Sequence, residues 1–197
     1  YEALIAWKNS RSASFHVPGH KNGALFPDKA RSLYKNILTI DSTELNGLDD
    51  LHDPQTVIKE AQQLTAHFYG ARESYFLVGG STVGNLAMIM ATCAAGDTVL
   101  VQRNCHQSIM NGLELANVRP VFLTPFFSSE ANVAVGVTLD TVKAAHADYP
   151  DASVLLLTTP NYYGMTMNDL EAIIQYAHEH DMIVLVDEAH GSHFVLG

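Results

Sequence analysis

The chain has 197 residues, 47% of them hydrophobic, with eleven basic against twenty-one acidic side chains for a formal charge of −10. That length suits one ordinary domain or a large part of a bigger one, and the acidic balance disfavours nucleic acid or an anionic membrane as partner and favours a small ligand. No apolar run approaches a membrane span, residues 1 to 14 lack the order of a signal peptide, and Cys93 and Cys105 show no CxxC spacing, so a cytoplasmic protein without a disulfide framework or zinc knuckle is expected.

Residues 1 to 53 read as an N-terminal arm and loop. A short amphipathic start containing Trp7 leads into His16-Val17-Pro18-Gly19-His20-Lys21-Asn22-Gly23, where Pro and Gly punctuate the backbone. Two histidines four apart suit a metal only on a helix, and Pro18 with Gly19 opposes one, so no metal is expected. The acidic, turn-rich run from Asp41 to Pro54 lacks the ligand spacing of an EF-hand and reads as a solvated loop. From Pro54 to Tyr69, apolar residues such as Val57, Ile58, Ala61, Leu64 and Phe68 recur at helical spacing, and Gly70 suits the C-terminal stop.

An alternation then sets in. Strands are expected at 74–78, 98–102, 118–123, 153–158 and 182–186, and helices at 82–95, 106–116, 138–148 and 168–180, with a loop after Pro125. Runs such as Val154-Leu155-Leu156-Leu157 and Ile183-Val184-Leu185-Val186 are continuously apolar, as parallel strands covered on both faces require. The fold class is therefore α/β, a mostly parallel sheet flanked by helices.

In such a sheet, ligands lie beyond the carboxyl ends of the strands. Four polar clusters stand there: Gly79 to Thr82, Arg103 to His106, Thr158 to Gly164, and Asp187 to Gly191. The first, within Leu77-Val78-Gly79-Gly80-Ser81-Thr82, reads as strand, glycine turn and helix start, a natural phosphate site; simple capping by Ser81 or Thr82 explains the same letters. The acidic pair in Leu185-Val186-Asp187-Glu188-Ala189-His190 would suit magnesium in a DEAH-type NTPase. That reading needs a GxxxxGK[ST] loop, which is missing, and GxGxxG order is missing as well.

Taken together, these motifs resemble the bacterial ornithine/lysine/arginine decarboxylase family of fold-type-I pyridoxal-phosphate enzymes. The resemblance covers nearly the whole chain and rests on HVPGHK at 16–21, ELNGLDDLHDP at 44–54, GGSTVGN at 79–85, RNCHQS at 103–108 and DEAHG at 187–191. It implies an aspartate-aminotransferase-like architecture, with residues 54–197 as part of the pyridoxal-phosphate-binding large domain. It implies pyridoxal 5′-phosphate as cofactor, bound by Gly80, Ser81, Thr82, His106, Asp187 and Ala189. The phosphate falls to Ser81 and Thr82 with nearby amides, one ring face to His106 and the other to Ala189, and the pyridine nitrogen to Asp187. Catalytic roles are implied for His106, Asp187 and His190, the last near the substrate.

The implied reaction is decarboxylation of a basic amino acid, ornithine, lysine or arginine, to a polyamine-type amine by a homodimer or larger homo-oligomer. The family's Schiff-base lysine lies in a His-Lys segment beyond Asp187, whereas the six lysines here, Lys8, Lys21, Lys29, Lys35, Lys59 and Lys143, all precede it. The expectation is a fragment truncated before that lysine and inactive alone. Two alternatives stay open: another fold-type-I enzyme, either an aminotransferase or an acyl-CoA-condensing synthase, and a non-catalytic assembly or sensing protein that keeps the fold.

Overall fold

The computed structural model describes residues 1–10 and 12–196; Arg11 and Gly197, the last residue of the expected large domain, lie outside the described residues. The chain divides into two compact units, Tyr1–Phe76 and Leu77–Gly197.

The first unit holds three helices, α1 (Glu2–Ser10), α2 (Asp28–Leu38) and α3 (Val57–Tyr69). The expected irregular arm thus contains two helices. Asp28 in the first turn, Lys35 in the last, and Leu33, Tyr34, Ile37 and Leu38 at helical spacing carry α2, a signal hidden among its Pro and Gly neighbours. Helix α3 is the one the periodicity predicts, and it stops at Gly70, whose φ of 65° places it in the left-handed region. Its start is capped from a distance. Asp49 accepts backbone N–H bonds from Gln55, Thr56, Ile58 and Lys59, the groups that a helix start leaves without intrahelical partners. The two motif histidines are used inside their loop. His20 accepts the Gly23 N–H on Nδ1 and sets Nε2 3.1 Å from Asp41, while His16 Nδ1 lies 2.6 Å from the Val17 carbonyl.

The second unit is built on four parallel strands, β1 (Thr98–Gln102), β2 (Arg119–Leu123), β5 (Ala152–Thr158) and β6 (Ile183–Asp187), in the order β2-β1-β5-β6. Helices α4 (Gly80–Thr92), α5 (Gln107–Leu115), α6 (Leu139–Asp148) and α7 (Leu170–Glu179) complete it, with a short antiparallel pair, β3 (Phe127–Ser128) and β4 (Val133–Ala134), inside the expected loop after Pro125. Strand side chains alternate between faces. Val99, Val101, Val154 and Leu156 pack with Ile89 of α4 and Ile109 and Leu113 of α5. Leu100, Leu155 and Leu157 pack on the other face with Val142 of α6 and Ile173 and Ala177 of α7. Both faces are covered, which is why the strands are apolar without alternation.

One expected strand is absent. Residues 73–77 are without regular structure, belong to no ladder among the described residues, and leave Tyr75, Phe76, Leu77 and Val78 exposed. Apolar β-prone letters make a strand only where a neighbour supplies backbone partners. The helix start that follows is present, so the junction keeps its second half.

Candidate active site

The order β2-β1-β5-β6 reverses direction between β1 and β5, and the carboxyl ends of strands at such a point form a crevice. Gln102, fully buried at the end of β1, bridges it: its side chain donates to the Thr158 carbonyl at 3.1 Å and accepts the Thr158 N–H at 3.2 Å. Above this bridge lies a cavity of about 270 Å³. Every residue the sequence nominated lines it: Gly80, Ser81, Thr82, His106, Asp187, Ala189 and His190. It also takes in Gly79, Asn85, Thr158, Pro160 and Tyr162.

One end of the cavity is the start of α4. Gly79 is the N-cap and no side chain caps the helix, while Ser81 and Thr82 sit exposed in its first turn. A thirteen-residue helix presents its first N–H groups and the positive end of its dipole there. Glycine is dictated at both turn positions: a Cβ on Gly79 would stand 2.2 Å from Val83 Cγ2, and Gly80 has a φ of +64°.

His106 closes one side. It is the N-cap of α5, and its Nδ1 accepts the Ser108 N–H at 3.1 Å and lies 2.7 Å from Ser108 Oγ. This ring both caps the helix and lines the cavity. Asp187 ends β6 and is 6% exposed; its Oδ2 accepts from Asn85 Nδ2 at 2.9 Å and its Oδ1 from the Ala189 N–H at 3.2 Å. Each oxygen retains a lone pair for a further donor.

Tyr162 spans the gap between two nominated residues, its ring centroid 6.3 Å from that of His106 and 5.8 Å from that of His190. Its loop is held by buried Asn161, which donates to the Ala134 and Val135 carbonyls and accepts the Tyr163 and Met165 N–H groups. Burial pushes the Tyr162 phenol up, and the charges of Asp187 and Cys105 push it further. Burial also raises the Cys105 thiol, again with Asp187 contributing. Sequence reading passed over Asn85, although GGSTVGN contains it, and gave Tyr162 no role. Asn104 of the second cluster is structural, accepting from Gln102 and donating to the Val135 carbonyl.

The donor set fits pyridoxal 5′-phosphate: an uncapped helix start with two hydroxyls for the phosphate, a flat imidazole, and a buried carboxylate for a ring nitrogen. Thr158 lines the same cavity, and its buried hydroxyl has no hydrogen-bond partner among the described residues. No three His, Cys, Asp or Glu side chains gather to hold a metal ion among the described residues, and no described helix is long and apolar enough to cross a membrane.

Residues 1–197 match the family described as Orn/Lys/Arg decarboxylase, major domain. The chain is 55% identical over 197 residues to the uncharacterized protein YaaO of Bacillus subtilis, covering all of this chain and 41% of that protein. It is 39% identical over 194 residues to the arginine decarboxylase of Bacillus subtilis, covering 98% and 39%. The structure of the constitutive lysine decarboxylase of E. coli superposes with a TM-score of 0.68 and 26% identity, covering 82% of this chain and 25% of that one. The chain thus spans about two fifths of the length of these curated relatives.

Proposed function

The chain belongs to the Orn/Lys/Arg decarboxylase family, and from that premise we propose that it forms the cofactor-holding part of a pyridoxal-phosphate-dependent decarboxylase acting on a basic amino acid. The observation that carries the reading is the convergence of Ser81, Thr82, His106 and Asp187 on one cavity from three separate sequence motifs. Ser81 and Thr82, with the first amides of α4, hold a phosphate. His106 supplies a π face. Asp187 accepts a hydrogen bond from a pyridine nitrogen and keeps that nitrogen protonated, since a neighbouring carboxylate stabilises the charged form. Pyridoxal 5′-phosphate, when bound, supplies an electron sink for the pair left behind as a carboxylate departs as CO₂. Ala189 packs beside the ring, and His190 and Tyr162 wall the side where substrate enters and limit its contact with water.

Ornithine, lysine and arginine are the candidate substrates, with arginine first, because the relative named for arginine is the more similar over nearly the whole chain. Assembly as a homo-oligomer in the cytoplasm completes the reading. CO₂ release from the three amino acids by the full-length gene product, with and without Asp187→Ala, tests it: release from one of them that depends on Asp187 supports the reading, and release from none refutes it.

A further inference from the structure

We infer that Asn85 and Ser108 are positioning residues, a hydrogen-bond chain that fixes His106 with its proton on Nε2 and ties that ring to Asp187. A single Asn85 terminal atom lies 2.9 Å from both Ser108 Oγ and Asp187 Oδ2. An ionised carboxylate only accepts, so that atom is the amide nitrogen, and its two hydrogens serve the two oxygens. Ser108 Oγ, having accepted from Asn85, has its own hydrogen to place, and His106 Nδ1 stands 2.7 Å away. The Ser108 N–H points at the same Nδ1 from 3.1 Å. Two donors converge on Nδ1, so it carries a lone pair, and the neutral ring holds its proton on Nε2.

This hydrogen-bond chain is built into the core. Asn85 is 4% exposed and Ser108 2%, so a broken link leaves a polar group without water to replace its partner. It joins α4, α5 and β6, and it gives His106 an N–H rather than a lone pair on the nitrogen not used by the helix start. That donor suits an anionic oxygen, such as the carboxylate of an amino-acid substrate. This purpose rests on the decarboxylase reading, whereas the tautomer does not.

The test is a long-range ¹H–¹⁵N correlation spectrum of the histidine rings in the ¹⁵N-labelled chain without cofactor, near pH 8, above the ordinary histidine value of about 6.5. His106 is identified by the signal lost in His106→Gln. The expected result is one tautomer, Nδ1 unprotonated and Nε2 protonated. Ser108→Ala, which keeps the backbone N–H on Nδ1 but loses the hydroxyl, and Asn85→Ala shift the His106 ¹⁵N signals toward the other tautomer, and Ser108→Thr, which keeps the hydroxyl, retains the native signal. Protonated Nδ1 in the native chain overturns the inference outright, whatever the variants do. So does an unchanged His106 signal in Ser108→Ala, the smaller deletion, with native circular dichroism. Because no cofactor is added, failure of this result leaves the cofactor reading standing, and failure of cofactor binding leaves this result standing.

Discussion

Asn85 Nδ2 lies 2.9 Å from Asp187 Oδ2, joining the first helix of the sheet unit to the end of its last strand across 102 positions of sequence. Both side chains are buried, so the contact serves packing as well as chemistry. Asp187→Ala leaves the Asn85 donor unpaired in the interior. The expected loss of stability is about 1–3 kcal/mol, read from the urea midpoint without any ligand.

A second prediction concerns the approach of α5 to α4. A Cβ on Gly112 would stand 2.7 Å from Ile89 Cδ1, and Ile89 is fully buried. Gly112→Ala is expected to destabilise by about 1–3 kcal/mol through overpacking, and Ile89→Val by about 0.5–1.5 kcal/mol. The double variant removes the clashing methyl, so it should be more stable than the sum of the two losses predicts, with a coupling of about 0.5–3 kcal/mol. Denaturant unfolding of the four proteins measures that coupling directly.

Asp49 links the first unit to pH. Desolvation pulls its carboxyl up, but four backbone N–H groups outweigh that and hold it well below the ordinary value of 3.8. A carboxyl depressed in the folded state contributes stability above its unfolded value and loses it as pH falls through the folded one. Asp49→Ala should therefore lower the unfolding midpoint at neutral pH, and its deficit relative to the native chain should persist down to pH 3.8 and shrink only below it. Trp7, the only tryptophan, reports this transition by fluorescence.

At the other end of the cavity, Ser81→Ala combined with Thr82→Ala should weaken pyridoxal 5′-phosphate by at least about tenfold, since hydrogen bonds to a charged group are worth about 1.5–3 kcal/mol. Pyridoxal, which lacks the phosphate, should bind the variant and the native chain alike. Calorimetric titration of both ligands separates the phosphate contacts from the rest of the site.

The sheet was legible because its strands are apolar on both faces and alternate with helices of regular period; β1, β5 and β6 fall within a residue of where those runs predict. The segment at 74–78 carries the same letters and forms no strand, because a ladder is a property of two segments and only one is visible in a local window. Helix α2 was obscured by the surrounding punctuation. The site was legible where a motif carries chemistry on its face, as at Ser81, His106 and Asp187. Asn85 and Tyr162 were not, since their importance lies in what they touch: a helical asparagine is mute until the fold brings Ser108 and Asp187 to it.

We propose that this cavity holds pyridoxal 5′-phosphate with Asp187 against its ring nitrogen. The most direct test is calorimetric titration of the native chain and of Asp187→Ala with pyridoxal 5′-phosphate, both checked for native circular dichroism. One site is expected on the native chain and an affinity at least about tenfold lower in the variant, the loss expected for a hydrogen bond to a charged partner. No binding to the native chain, or equal binding to both proteins, would contradict the proposal.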